Sequence, residues 1–385
     1  MNQKQVAFQF VDDHREEMLA LWQEVVMMES GPHQKAGIDA VGARFRQVLE
    51  ETGATCRLVE FEKAGNMLVG ELGAKSSRPG VIFLGHMDTA IPAGAIAERP
   101  FTIRDGKAYG PGVLDMKGGI VAFLYAIKAL KAAGYDARPI KVLLAGDEEV
   151  LHANSAAADV LVSEAAGHEA AFNCETGFVD NGIVVGRKGI ARIMMEVRGV
   201  AAHAGNDPEN GRNAIIELAH KAIAVQGLTD WEKGISFNVG VIQGGTTSTA
   251  VPDYANIFID VRYKDPDDLP GVIAQVEEVA AKIYIDGTST KVVLLDGLKP
   301  MKTTDGVMKL YELVEKASEE NGFGKPYAKY VGGGSDSAYT VIAGVPTVCA
   351  MGVKGGRNHS PEEYAVVETL FERAKLLVAS VLKLD

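Results

Sequence analysis

The run Val81-Ile82-Phe83-Leu84 stops at Gly85 and is followed at once by His86 and, two residues on, by Asp88. So short and so apolar a run reads as a strand buried on both faces, as in a parallel α/β sheet covered by helices. Ligands in such sheets bind outside the carboxyl ends of the strands. An imidazole and a carboxylate released there, on the same side of the chain, match a metal ligand and the group that orients it. His-x-Asp is a short pattern, however, and a histidine at a strand end is commonly just hydrogen-bonded. The rest of the chain decides.

The same grammar recurs. An apolar run over 140–145 ends in Gly146-Asp147-Glu148-Glu149, and a shorter one over 170–173 ends in Cys174-Glu175. Between them, Ile120, Phe123, Leu124, Ile127 and Leu130 fall at helical spacing and Gly134 ends the helix. The amino-terminal part predicts one amphipathic helix over 5–30 and another over 36–53, then strands over 55–61 and 66–72. After Arg187-Lys188-Gly189 the texture changes to alternation, with Ile193, Met195 and Val197 set against Arg192, Met194 and Glu196. From there the predicted order is strand, helix, strand, strand, helix, strand, the ferredoxin-like split unit. Past Pro300 the α/β grammar returns, with helices over 306–321 and 367–382 and a strand over 347–350. The expectation is a small domain over 189–300 inserted between two parts of a larger one, 1–188 and 301–385.

Composition excludes several classes. With 385 residues the chain is long for one domain, and 47% hydrophobic with 23% charged residues is ordinary for a soluble globular protein. The formal net charge of −12 argues against a nucleic-acid partner, which would need clustered Lys and Arg. No run is apolar enough to span a bilayer and the amino terminus lacks a signal-peptide core, so no membrane partner is expected. Three scattered cysteines, Cys56, Cys174 and Cys349, suggest no disulfide framework and point to the cytoplasm.

The residues just past the strand ends are His86, Asp88, Asp115, Asp147, Glu148, Glu149, Glu175 and His359. Histidines and carboxylates without a thiolate suit zinc, cobalt or manganese, whereas calcium prefers all-oxygen sites. Two metals sharing a carboxylate need about five ligands, which two histidines and three carboxylates supply. A solvated acidic rim explains neither the histidines nor the apolar strands before the acids. The pair Glu148-Glu149 adds a further point. Neighbours in sequence do not easily chelate one ion together, but one can bind metal while the other takes a proton from the metal-bound water. That is the apparatus for metal-assisted amide hydrolysis.

Eight stretches now stand in one order over nearly the whole chain: GHMDTA (85–90), GPGVLDMKGG (110–119), GDEE (146–149), CETG (174–177), GVAAHAGNDPENGRNAI (199–215), VPDYANIFIDVRY (251–263), GGGSDSAY (332–339) and HSPEE (359–363). In them the chain resembles the dinuclear zinc metallopeptidase family of aminoacylase, acetylornithine deacetylase, succinyl-diaminopimelate desuccinylase and glutamate carboxypeptidase, most of all the last. The resemblance implies a zinc-peptidase-like catalytic domain with a mixed central sheet flanked by helices, and an inserted ferredoxin-like α+β lid through which two copies form a homodimer. It implies two divalent metal ions, zinc first and cobalt or manganese next. Asp115 would bridge them, His86 and Glu175 completing one site and Glu149 and His359 the other. Asp88 would orient His86, Glu148 would act as general base and then acid, and the 115–116 bond would be cis. His203, otherwise an ordinary strand-end histidine, would reach the neighbouring subunit's active site and stabilise the oxyanion. Arg262, otherwise a solvated strand arginine, would contact the substrate carboxylate.

The departures bear on substrate. Thr249 stands where relatives commonly carry asparagine, and Lys299 stands where glutamate carboxypeptidases carry arginine, replacing a bidentate fork with a point charge. After Glu149 the usual glycine is missing and His152 follows; contact with substrate or support of a ligand is one reading of it, and a structural role is the one expected. Gly333 and Gly334 permit close backbone approach to a ligand. The expected function is hydrolysis of an amide bond next to a free carboxylate in a peptide substrate. N-acyl-amino-acid deacylation is the alternative, and a non-catalytic metal- or ligand-binding protein the remote one.

Overall fold

The apolar runs become neighbouring strands. In the computed structural model, which describes residues 1–385, Val81–His86 pairs in parallel with Ile140–Ala145 on one side and with Ala170–Asn173 on the other. Every residue of Val81–His86 is buried, as an all-apolar strand inside a covered sheet must be. The full sheet runs Thr55–Val59, Met67–Leu72, Ile140–Ala145, Val81–His86, Ala170–Asn173, Thr347–Val348. Its first two pairings are antiparallel and the rest parallel, so the sheet is mixed. Phe83 stacks on Phe172 of the adjacent strand and on Phe123 of the helix Gly118–Ala132, each at 5.7 Å. That helix is buried on nearly every face because Glu368–Leu382 and Gln3–Asp13 pack around it. An apolar helix without a polar side is what such a position requires.

The chain divides into two units, one of Met1–Gly186, Met301–Val331 and Ser335–Asp385, the other of Arg187–Pro300 with Gly332–Gly334. The first holds the mixed sheet. The second has the four antiparallel strands Ser236–Gly244, Tyr254–Tyr263, Gly189–Arg198 and Ser289–Leu298, in that spatial order, with helices Ala214–Gln226 and Leu269–Ala281 between them in sequence. This is the ferredoxin-like arrangement. Ile193, Met195 and Val197 are buried in its core while Arg192 and Arg198 face solvent.

One expectation needs correction. The helix predicted over 5–30 is two helices, Gln3–Asp13 and Arg15–Val26. They part at His14, whose ring stacks on Phe10 and donates from Nδ1 at 2.7 Å to the Phe10 carbonyl, which also accepts the His14 amide at 3.1 Å. A helix at Ala157–Ala165 and a strand at Gly182–Arg187 are additional. No helix is long and apolar enough to cross a membrane.

Candidate metal centre

The carboxyl ends of the parallel strands carry the charged residues because each strand breaks at or just past its last buried position. Val81–His86 delivers His86, which is 2% exposed. Its Nδ1 donates to the backbone carbonyl of Asp88 at 2.9 Å, which leaves Nε2 as the free ligand atom. The Asp88 carboxylate is farther from that ring, at 3.5 Å, and instead accepts the amides of Glu148 at 3.2 Å and Glu149 at 2.8 Å. Asp88 thus orients His86 with its carbonyl and holds the Glu148-Glu149 turn with its side chain.

Asp115 sits at the centre. Its Oδ1 lies 3.3 Å from His86 Nε2 and its Oδ2 lies 3.2 Å from His359 Nε2. One carboxylate therefore faces two imidazoles with its two oxygens. Glu175 Oε1 is 3.8 Å from His86 Nε2, and Glu149 Oε2 is 3.3 Å from His359 Nε2. Two trios of donor atoms lie within 4.8 Å of one another: His86, Asp115 and Glu149, and His86, Glu148 and Glu175. Glu148 therefore lies among the ligand candidates as well as beside them. The peptide bond between Asp115 and Met116 is cis.

Three features fit this cluster to cations. Asp115 Oδ1 is buried without a hydrogen-bond partner, which is costly unless something positive meets it. Donors held 2.0–2.2 Å from one tetrahedral ion stand roughly 3.3–3.6 Å apart, close to the 3.3 and 3.2 Å that Asp115 keeps from its two histidines. The charges also need an opposite sign. Burial first, then the surrounding carboxylates, pushes Glu148 and Glu149 well above the usual range, with His86 opposing. Burial would raise Asp115 too, but the hydrogen bond from His359 and the adjacent His86 hold it well below. Burial would lower His86, yet Asp115 and Asp88 raise it well above its ordinary value.

Two residues unassigned from sequence support Asp115. Glu363, 2% exposed, accepts the backbone amides of Gly112, Leu114 and Asp115 at 3.0, 2.8 and 3.0 Å. Asn358 donates to Asp115 Oδ2 at 3.0 Å. Both stand within five residues of His359, and a carboxylate or amide next to a ligand motif was the available signal. Asp147 turns away from the cluster and pairs with His152.

The remaining predicted residues lie in the other unit. His203 is exposed, and its Nδ1 accepts the amides of Gly205 and Asn206, both at 3.1 Å. Nδ1 being an acceptor, the ring proton sits on Nε2, the outer nitrogen. Thr249 is exposed and its carbonyl accepts the amide of Ala204 at 2.9 Å. Arg262 is half-buried; its Nε and Nη2 fork onto Asp260 at 2.7 and 3.0 Å, and its Nη1 reaches the Gly332 carbonyl. Arg187 donates to the carbonyls of Gly333 and Gly334. Lys299 is exposed.

A covered mixed sheet, an inserted split βαβ unit and a carboxylate shared between two histidines define a metal-dependent hydrolase. The sequence pattern of peptidase family M20/M25/M40 matches residues 82–383, and the chain belongs to this family. Carboxypeptidase G2 of Pseudomonas sp. (strain RS-16) is 30% identical over 384 residues, 97% of this chain and 91% of that one. A succinyl-diaminopimelate desuccinylase of Rhodospirillum centenum is 28% identical over 349 residues, 86% and 88% of the two chains. Among solved structures, aminopeptidase PepT from Bacillus cereus superposes with a TM-score of 0.79 at 25% identity, over 96% of this chain and 98% of that one. The protein is a metal-dependent hydrolase of amide bonds.

Proposed function

We propose that the protein hydrolyses the amide bond next to a free carboxylate, as a carboxypeptidase of glutamate-carboxypeptidase type. The observation that carries this reading is Asp115, whose two oxygens face His86 and His359, with Glu148 buried alongside. His86, Asp115 and Glu175 would hold one divalent ion, and Asp115, Glu149 and His359 a second, zinc being the metal that this donor set suits best. Ions bound there supply Lewis acidity, polarising the scissile carbonyl and making water acidic. The protein's own groups do the rest. Glu148, buried beside the proposed ligands, takes a proton from the attacking water as a carboxylate and returns it to the leaving amine. Asp88 fixes both the His86 tautomer and the turn that carries Glu148. His203 offers an Nε2–H to the developing oxyanion, in a homodimer whose partner subunit supplies it. Arg262 and Lys299 meet the substrate carboxylate, Arg262 in exchange for Asp260, with Thr249, Gly333 and Gly334 beside it. Three scattered cysteines without a disulfide framework support a cytoplasmic setting.

Lys299 favours a second reading, N-acyl-amino-acid deacylation, because an ammonium gives less selection for a planar carboxylate than a guanidinium does. Release of amino acids from a panel of peptidyl-glutamates and N-acyl-amino acids, with added zinc, cobalt or manganese, separates the two. On the best substrate, Glu148→Ala should keep its metal content and lose at least about 10³-fold in kcat. Turnover near the parent's would remove Glu148 from its role. Loss of bound metal would make it a ligand, as its place in the His86–Glu175 trio permits.

A further inference from the structure

His152 stands where the catalytic turn needs an anchor. It follows Glu149 by three residues and is 7% exposed, and the reaction derived above does not use it. Its Nδ1 is 2.9 Å from Asp147 Oδ1 and its Nε2 is 2.6 Å from Asp336 Oδ1. Carboxylate oxygens accept, so the ring donates from both nitrogens and is an imidazolium. Burial alone would lower its pKa, but Asp336 and Asp147 reverse that and hold it well above the ordinary value. The remaining oxygens, Asp147 Oδ2 and Asp336 Oδ2, are buried with no hydrogen-bond partner, so the imidazolium is the cation these carboxylates share. Tyr339 meets the ring edge-on at 5.7 Å.

The bridge ties together two segments far apart in sequence. Asp147 and His152 bracket Glu148 and Glu149, in a turn closed by Leu151 N to Glu148 O at 2.7 Å and His152 N to Asp147 O at 3.0 Å. Asp336 immediately precedes the helix Ser337–Ile342. Leu151 and His152 both have left-handed backbones, φ 60° and 54°, which non-glycine residues keep only where their surroundings enforce it. A glycine would adopt that conformation freely but would carry no bridge.

We propose that His152 is a positioning residue for catalysis, clamping the Glu148-Glu149 turn to the Ser337–Ile342 helix through its paired bonds to Asp147 and Asp336. The proposal rests on the hydrolase reading above. Asp88 holds the turn from one side through its amides; His152 holds its ends from the other. Misplacing a reacting group by about 1 Å costs on the order of 10²-fold in rate.

The test uses His152→Phe, which keeps a ring in the space and removes both bonds, and Asp336→Asn, which keeps the shape and removes the charge. His152→Phe should lower kcat about 100-fold with KM within about 3-fold. It should also weaken divalent-ion binding about 10-fold by chelator competition with zinc. Amide exchange over residues 147–152, measured without substrate, should speed up. The double variant should be no worse than His152→Phe alone, since the bridge acts as one unit. Parent-like kcat and amide exchange in a folded His152→Phe protein would overturn the proposal, as would a fall in thermal stability alone. If His152→Phe does not fold, Asp336→Asn decides: a kcat about 10-fold lower supports the clamp, and a parent-like value overturns it. Amide exchange and zinc affinity read the turn whatever the substrate, so a failure of the clamp is distinguishable from a failure of the hydrolase reading.

Discussion

Asp88 shows how much one residue can do with separate oxygens: the carbonyl sets the His86 tautomer and the carboxylate caps the Glu148-Glu149 turn. Outside the centre, single groups set the response to pH. His168 is half-buried, and burial is the main cause of its pKa lying below the ordinary value near 6.5. The unfolded chain therefore binds its proton first as pH falls, so stability is lost on acidification from about 6.5 down through the lowered folded value. His168→Gln should melt like the parent at pH 8 and above it at pH 5, by thermal unfolding of the two proteins in parallel; an unchanged difference across that range would contradict the assignment. The cluster's residues were legible in sequence because each follows an apolar run or a turn motif. Asp88's division of labour was not, since a backbone carbonyl leaves no mark on residue type. His152 stood out at the missing glycine, but its bridge could not be read, because its partner Asp336 is 184 residues away.

At the scale of elements, the strands that announce themselves are the ones buried on both faces, Val81–His86 and Ile140–Ala145, where composition and environment agree. Short strands in partly exposed sheets, such as Lys107–Tyr109 and Lys354–Gly356, carry no such signature because their pairing is set by distant chain. The segment that presents Asp115 is likewise fixed from outside. Residues 112–115 direct three amides at one carboxylate, Glu363, so the loop's shape depends on a charge nearly 250 residues away. Glu363→Gln keeps the shape but presents one neutral acceptor oxygen to donors that now meet two. The expected result is a 10- to 100-fold loss of zinc affinity, roughly what support of a ligand from behind is worth, with little change in overall secondary structure. Chelator competition measures it; an affinity within about 2-fold of the parent would mean that the loop holds Asp115 unaided.

At the scale of the whole molecule, the proposed chemistry is divided between two units. All five proposed ligands and Glu148 belong to one unit, and His203 with Arg262 to the other. The texture change after Arg187 made the second unit readable, since alternation replaces all-apolar strands where a sheet keeps one open face. Its return at Gly332–Gly334 was not readable, because three glycines carry no pattern of burial. The division yields a prediction that neither unit makes alone. If His203 serves the site of the partner subunit, His203→Ala and Glu148→Ala are each nearly inactive as homodimers. A mixed dimer, however, has one site with both an intact Glu148 and an intact partner His203. Co-refolding equal amounts should give about half mixed dimers, each with one working site of two, hence roughly a quarter of parent activity. The check is turnover of the mixture against each variant alone, with size-exclusion chromatography verifying that every sample is dimeric. Activity no greater than the sum of the separate variants, in samples shown to have exchanged subunits, would place His203 in service of its own chain.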